Sequence, residues 1–180
     1  MTLADFSRET LCVDLAGRDV VAVLSELSLV LERNGVVPDA LAVINAAMNR
    51  HFISDSDALP GLAYPVSPLP SITQVMFALG RTATPFTWTL GFAPVNLVVL
   101  IATPTTGPQP ALLAALGRLA RNEKACAAIH NATSAAGIVE TLQQFAVAEF
   151  EPGASAIRAS AGSNGAADPR VIRSRAEVSL

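Results

Sequence analysis

Cysteine is almost absent from this chain of 180 residues, which carries only Cys12 and Cys126. The two are far apart and form no C-x-x-C pair, which excludes a disulfide framework and a thiol metal knuckle. Both are expected as small buried hydrophobes of a reducing compartment. Histidine is as scarce: His51 and His130 have no neighbouring ligand set, so no metal site is expected. There is no G-x-G-x-x-G, Walker loop, G-x-S-x-G elbow or internal repeat, which removes the common nucleotide sites and serine hydrolysis. The longest strongly apolar run, Val95 to Thr103, is far shorter than the roughly 20 residues of a membrane-spanning helix. The opening stretch MTLADFSRET carries acid early and lacks an apolar core, unlike a secretory signal. A net charge of -3 and a pI near 5.3 argue against nucleic acid as a partner. The expectation is a cytoplasmic protein with no cofactor and no membrane insertion.

The residues present set out an α/β order. Residues 18–33 place Val20, Val21, Val23, Leu24, Leu27, Val30 and Leu31 at helical spacing, and Asn34-Gly35 supplies a stop. A second helix is expected from about Asp39 to Arg50, entered after Pro38. Strands follow at Leu62 to Tyr64, Gln74 to Arg81 and Val95 to Pro104, the last apolar on both faces like a central strand. Helical periodicity returns over Pro110 to Arg121, Glu123 to His130, and from Asn131 through Phe145. Such an order predicts a small mixed sheet flanked by helices. Residues 1–150 form the expected domain. Residues 151–180 have no aromatic residue and are rich in Gly, Ala and Ser, the composition of a tail, with Val171, Ile172 and Val178 as its candidate docking residues.

One junction poses a chemical question. Pro65 ends the strand Leu62-Ala63-Tyr64, and Pro68 and Pro70 hold the next residues extended. Strand ends commonly expose working side chains, yet the residue there is the aliphatic Val66.

Several pieces at their mutual spacing resemble one family: Arg50, Gly61, Ala63 and Pro65, then ALGR at 78–81, Val95 with Leu97 to Leu100, and RLAR at 118–121. The chain resembles enzyme IIA of the fructose/mannitol class of the bacterial sugar phosphotransferase system, which includes the nitrogen-regulatory enzyme IIA. The likeness covers roughly residues 5–148 and implies that family's α/β sandwich. It also implies a site: a glycine-rich loop, a phosphorylated histidine after a proline, an arginine two residues on, and a second histidine before a later helix. On that pattern Val66 stands at the phospho-acceptor, Pro68 at the arginine and Gln109 near the second histidine. The loop reads Ser54, Asp55, Asp57 and Leu59, with Gly61 retained and Tyr64 beside the site.

The resemblance with these replacements implies a non-phosphorylatable regulator rather than an enzyme. It would bind a protein partner, a second copy of the chain included, through a rim of Ser54, Leu59, Pro65, Val66 and Ser67. A second reading keeps phosphotransfer through a displaced acceptor, either His51 or a hydroxyl of Tyr64, Ser67 or Ser71. A third makes the vacated site an apolar pocket for a small molecule, lined by Leu59, Tyr64 and Val66.

Overall fold

The computed structural model describes residues 11–12, 14–53, 58–59, 61–90, 93–107 and 110–150. Ser54, Asp55, Asp57, Gln109 and the segment 151–180 with its Val171, Ile172 and Val178 therefore lie outside the described residues. The chain divides into a unit ending at Glu149 and a second running from Phe150 to Leu180.

Helix α1 (Val20–Arg33) starts where the Asp19 carboxylate accepts from Ala22 N at 2.9 Å, satisfying a donor that the first helical turn leaves open. Its buried stripe holds Val23, Leu24, Leu27 and Leu31 of the predicted positions, whereas Val21 is 52% exposed, turned away from the sheet side. Glu32 on its last turn accepts from Ala40 N at 3.1 Å, which ties the start of α2 (Ala40–Ile53) to the end of α1. After the sheet come α3 (Pro110–Arg121), α4 (Glu123–Asn131) and α5 (Ala135–Phe150). In α3 the buried residues Leu112, Ala115, Leu116 and Leu119 repeat at three and four, one face of a helix.

Among the described residues six strands form one mixed sheet: β1 (Leu11–Cys12), β2 (Ala58–Leu59), β3 (Gly61–Ala63), β4 (Val66–Pro68), β5 (Met76–Phe86) and β6 (Val95–Thr103). The path is β1-β5-β6-β3-β2, with β4 also paired to β6. β3 and β4 run parallel to β6 along the same side of it, Gly61 opposite Val95 and Val66 opposite Ile101. β5 is antiparallel on the other side.

Alternation along the strands divides the interior in two. Val66, Phe77, Leu79, Leu97, Val99 and Ile101 pack with α3, α4 and α5. Ala63, Leu69, Ala78, Val98, Leu100 and Ala102 pack with α1 and α2. β6 is thus covered on both faces, as its unbroken apolar run predicts.

Three expectations change. β5 runs on through Thr82 to Phe86, residues read from sequence as a connection; Trp88 beyond it is buried, its ring set edge-on to Phe86 at 6.0 Å. The residues after Pro65 form a short strand rather than a loop. Cys126 is half-buried rather than buried, and its Sγ donates to Leu119 O at 3.2 Å. No helix among the described residues is long and apolar enough to cross a membrane.

Candidate functional site

β4 exists because backbone pairing with β6 outcompetes the loop suggested by its prolines. Ile101 N donates to Pro65 O at 2.9 Å and Leu69 N donates to Thr103 O at 2.7 Å, closing the ladder at both ends. Pro68 has no N–H to offer, which a strand paired on one side tolerates. The pleat then sends Val66 and Ser67 to opposite faces. Val66 is 1% exposed and belongs to the cluster holding Phe77, Ile101 and Leu112. Ser67 is fully buried, and its hydroxyl donates to Val43 O of α2 at 2.8 Å.

The exposed junction expected from the sequence is therefore corrected. A strand paired to β6, with Val66 in the apolar cluster on the α3–α5 side, has no side chain free to reach outward there. Pro65, Val66 and Ser67 are all buried, so of the five rim residues named for partner contact these three present no side-chain surface. Leu59 pairs with Leu62 between β2 and β3, and Ser54 is outside the described residues. Tyr64 is partly buried against the α3–α5 side. Gly61 takes a φ of 79°, a left-handed conformation that glycine adopts without penalty, at a register shift between β3 and β6. His51 lies in the last turn of α2. The surface at this end of the sheet belongs to other residues: Pro70, Ser71, Thr73 and Gln74 after β4, and Thr105, Thr106, Pro110 and Ala111 after β6 are exposed. None is charged. A sequence signal for this was available, since from Ala58 to Gly117 the chain holds one charged residue, Arg81.

That arginine explains the ALGR stretch. A Cβ on Gly80 would come within 2.7 Å of the Leu15 side chain, so glycine lets Leu15 lie directly on the strand. Leu15 N also donates to Arg81 O at 2.7 Å. The Arg81 guanidinium donates to Ile129 O at 2.9 Å and to His130 O, carbonyls at the C-terminal end of α4, where a cation complements the helix dipole. Its Nε lies 3.4 Å from Asp14, whose side chain is 75% exposed.

Arg81 also forms part of a cavity of about 280 Å³ at the opposite end of the sheet from Val66. Its floor comes from Gly61, Asn96 and Leu97, and its roof from Ala120, Glu123, Cys126 and His130. Burial raises the pKa of the Cys126 thiol, which holds it protonated at neutral pH. From Asn96 to Ile101, the partner of Val66, is about 15–20 Å at the rise of an extended strand. His130 also lies at this far end.

A mixed sheet with two helices on one face, three on the other and a proline-flanked strand beside β6 is the IIA type of α/β sandwich. The model of the family described as "Phosphoenolpyruvate-dependent sugar phosphotransferase system, EIIA 2" matches residues 6–145, and the chain belongs to that family. Among solved structures it is similar to nitrogen regulatory protein IIA-Ntr from Neisseria meningitidis, at 19% identity and TM-score 0.63 over 76% of this chain and 94% of that one. IIA mannitol from Escherichia coli is similar at 13% identity and TM-score 0.65, over 77% of this chain and 99% of that one. The Escherichia coli complex of mannitol IIA with phosphorylated enzyme IIB gives 12% identity and TM-score 0.65, over 78% and 98%. No curated protein sequence matches. At these identities the solved structures speak for the fold alone.

Proposed function

We propose that the protein is a cytoplasmic, regulatory enzyme IIA-like protein that accepts no phosphoryl group at the end of β3–β4 and works by binding a protein partner. The observation that carries this is Val66. An aliphatic side chain has no lone pair with which to attack phosphorus. Here it is also only 1% exposed, within the apolar cluster on the α3–α5 side of the sheet, where a phosphocarrier has no access. The same burial weighs against a pocket at the vacated position, because Val66 itself fills the space. Ser67 is a poor substitute acceptor: its hydroxyl is buried and committed to Val43 O.

Support for a protein partner comes from the likeness to a IIA that forms a complex with phosphorylated IIB. In that reading the contact surface is the uncharged rim of Pro70, Ser71, Thr73, Thr105, Thr106 and Pro110, not the buried strand. Phosphorylation would add close to two negative charges to such a surface. Without it the rim stays in one electrostatic state and binds constitutively.

Incubation with phosphoenolpyruvate, enzyme I and a histidine phosphocarrier tests the first half: intact mass should show no added phosphate. A phosphorylated product mapped to His51 would establish the displaced-acceptor reading instead. For the second half, Thr106→Glu should weaken a purified partner by about tenfold or more, as a charge desolvated in an uncharged contact does. Asp14→Ala, on another surface, should leave the affinity alone. Equal affinity of parent and Thr106→Glu would place the interface elsewhere.

A further inference from the structure

We infer that the corner where α3 meets α4 docks an acidic segment of a protein partner. This adds a charge and a second place of contact to the partner-binding reading above, and rests on that reading only for there being a protein partner.

Charge is unevenly spread along the chain. Residues 1–81 carry five Lys or Arg against nine Asp or Glu, a net of -4, and no charged residue follows until Arg118. Then Arg118, Arg121 and Lys124 fall within seven residues, with Glu123 as the one acid among them. In the folded chain these four and Asn122 line one open hollow of about 390 Å³, and all five are exposed. Three cations against one carboxylate leave the hollow at net +2. Arg118 has a further interaction of its own, so Arg121 and Lys124, which make no ion pair among the described residues, carry the docking.

Fold stability accounts for the arginines of this cluster but not for the lysine. Arg118 and Arg121 stand in the last turn of α3, where a cation complements the helix dipole. Lys124 stands in the first turn of α4, where the same dipole disfavours a cation. The Asn122 side chain caps that turn by accepting from Ala125 N at 3.0 Å, so Lys124 takes no part in the cap. What Lys124 does add is positive field beside Arg121 and the α4 N-terminus.

The extent of the patch selects the partner class. Three cations in one hollow match two or three carboxylates of a short segment, as charge-assisted contacts. A nucleic acid or an anionic membrane presents a charge array wider than the hollow, and would also meet a domain whose residues 1–81 sum to -4. The outer face of α3 leads to the corner: Ala111, Ala114, Arg118 and Arg121 recur at three and four, and all are exposed. From Ala111, next to the rim residue Pro110, to Arg121 is about 15 Å at the helical rise. A segment lying along α3 meets small uncharged residues at one end and cations at the other.

A defined probe lets this site and the rim fail separately. A short fluorescein-labelled peptide of repeated Ala-Glu is titrated with the full chain at low salt and read by anisotropy, beside an Ala-Gln peptide of equal length. The Glu peptide should bind saturably and the Gln peptide should not, and about 1 M salt should abolish binding as the screening length falls to about 3 Å. Arg121→Glu combined with Lys124→Glu should weaken binding at least about tenfold. Glu123→Gln should tighten it about two- to fivefold, by removing the one carboxylate of the hollow. Arg33→Glu, a charge reversal on an exposed residue of α1, and Thr106→Glu at the rim should bind like the parent. If circular dichroism shows the double reversal unfolded, Glu123→Gln decides alone. The docking site is refuted if the Glu peptide does not bind, if the folded double reversal or Glu123→Gln leaves its affinity unchanged, or if Arg33→Glu weakens it as much as the double reversal. Tighter binding of a DNA duplex or of phosphatidylserine vesicles than of the peptide at the same salt would also overturn it.

Discussion

Restoring a histidine at Val66 should damage the protein rather than revive phosphotransfer. The parent side chain is 1% exposed and packs with Phe77, Ile101 and Leu112. Val66→His gives up an aliphatic contact of about 1.5–3 kcal/mol. It inserts a larger ring into a filled site, about 1–3 kcal/mol, and leaves ring nitrogens with no partner, about 1–3 kcal/mol more. These terms overlap, since a backbone shift that relieves one relieves the others, so about 3–5 kcal/mol is expected of a domain whose whole stability is about 5–15 kcal/mol. With a urea slope near 2 kcal/mol per molar, the unfolding midpoint should fall by about 2 M. Burial lowers the pKa of such an imidazole, so the unfolded state binds the proton more tightly and stability falls further below about pH 6.5. Val66→Ala, about 2 kcal/mol from lost methyls and a partial cavity, should show no such acid limb. Urea titration by circular dichroism at pH 7.5 and 5.5 measures both effects, and incubation with enzyme I, phosphocarrier and phosphoenolpyruvate measures labelling. A Val66→His protein with the parent's midpoint at both pH values, taking phosphate efficiently, would refute the buried placement and the reasoning built on it.

The other expectations concern the supports of this frame. Gly80→Ala should cost about 1–3 kcal/mol by driving a methyl into Leu15, and Leu15→Ala in the same chain should recover part of that loss, read as a non-additive double-mutant cycle. Arg81→Ala should cost about 2–3 kcal/mol by uncapping α4, whereas Asp14→Ala should change stability by no more than about 0.5 kcal/mol because that partner is largely exposed. Ser67→Ala should lose about 1 kcal/mol with its bond to Val43 O, and Thr103→Val should gain about as much, since its buried hydroxyl has no partner among the described residues. In a Cys12→Ser background, Cys126 should react with a thiol reagent at neutral pH more slowly than a free thiol. Its raised pKa means that any stability linked to it is complete below pH 9.0 and is lost as pH rises beyond that.

Much of the frame was legible in the sequence. The periodicities of α1 and α3 depend on neighbours three and four residues apart, and the unbroken apolar run of β6 already implies cover on both faces. ALGR and the proline-flanked strand carried the resemblance, and the replacement at Val66 was visible as a residue type. What Val66 does was not. Local chemistry around Pro65, Pro68 and Pro70 favours an exposed loop, and only pairing with Ile101 and Thr103, distant in the chain, turns it into a buried strand. The same holds for Arg81. Its sequence neighbours say only that a cation follows a glycine; the carbonyls of α4 that hold it, and the Glu123 carboxylate that shares its cavity, lie more than forty positions away. Short-range spacing determines which residues form an element and which face is apolar. Which backbone lies beside which, and therefore what is buried and what is offered to a ligand, follows from contacts that only the folded chain makes.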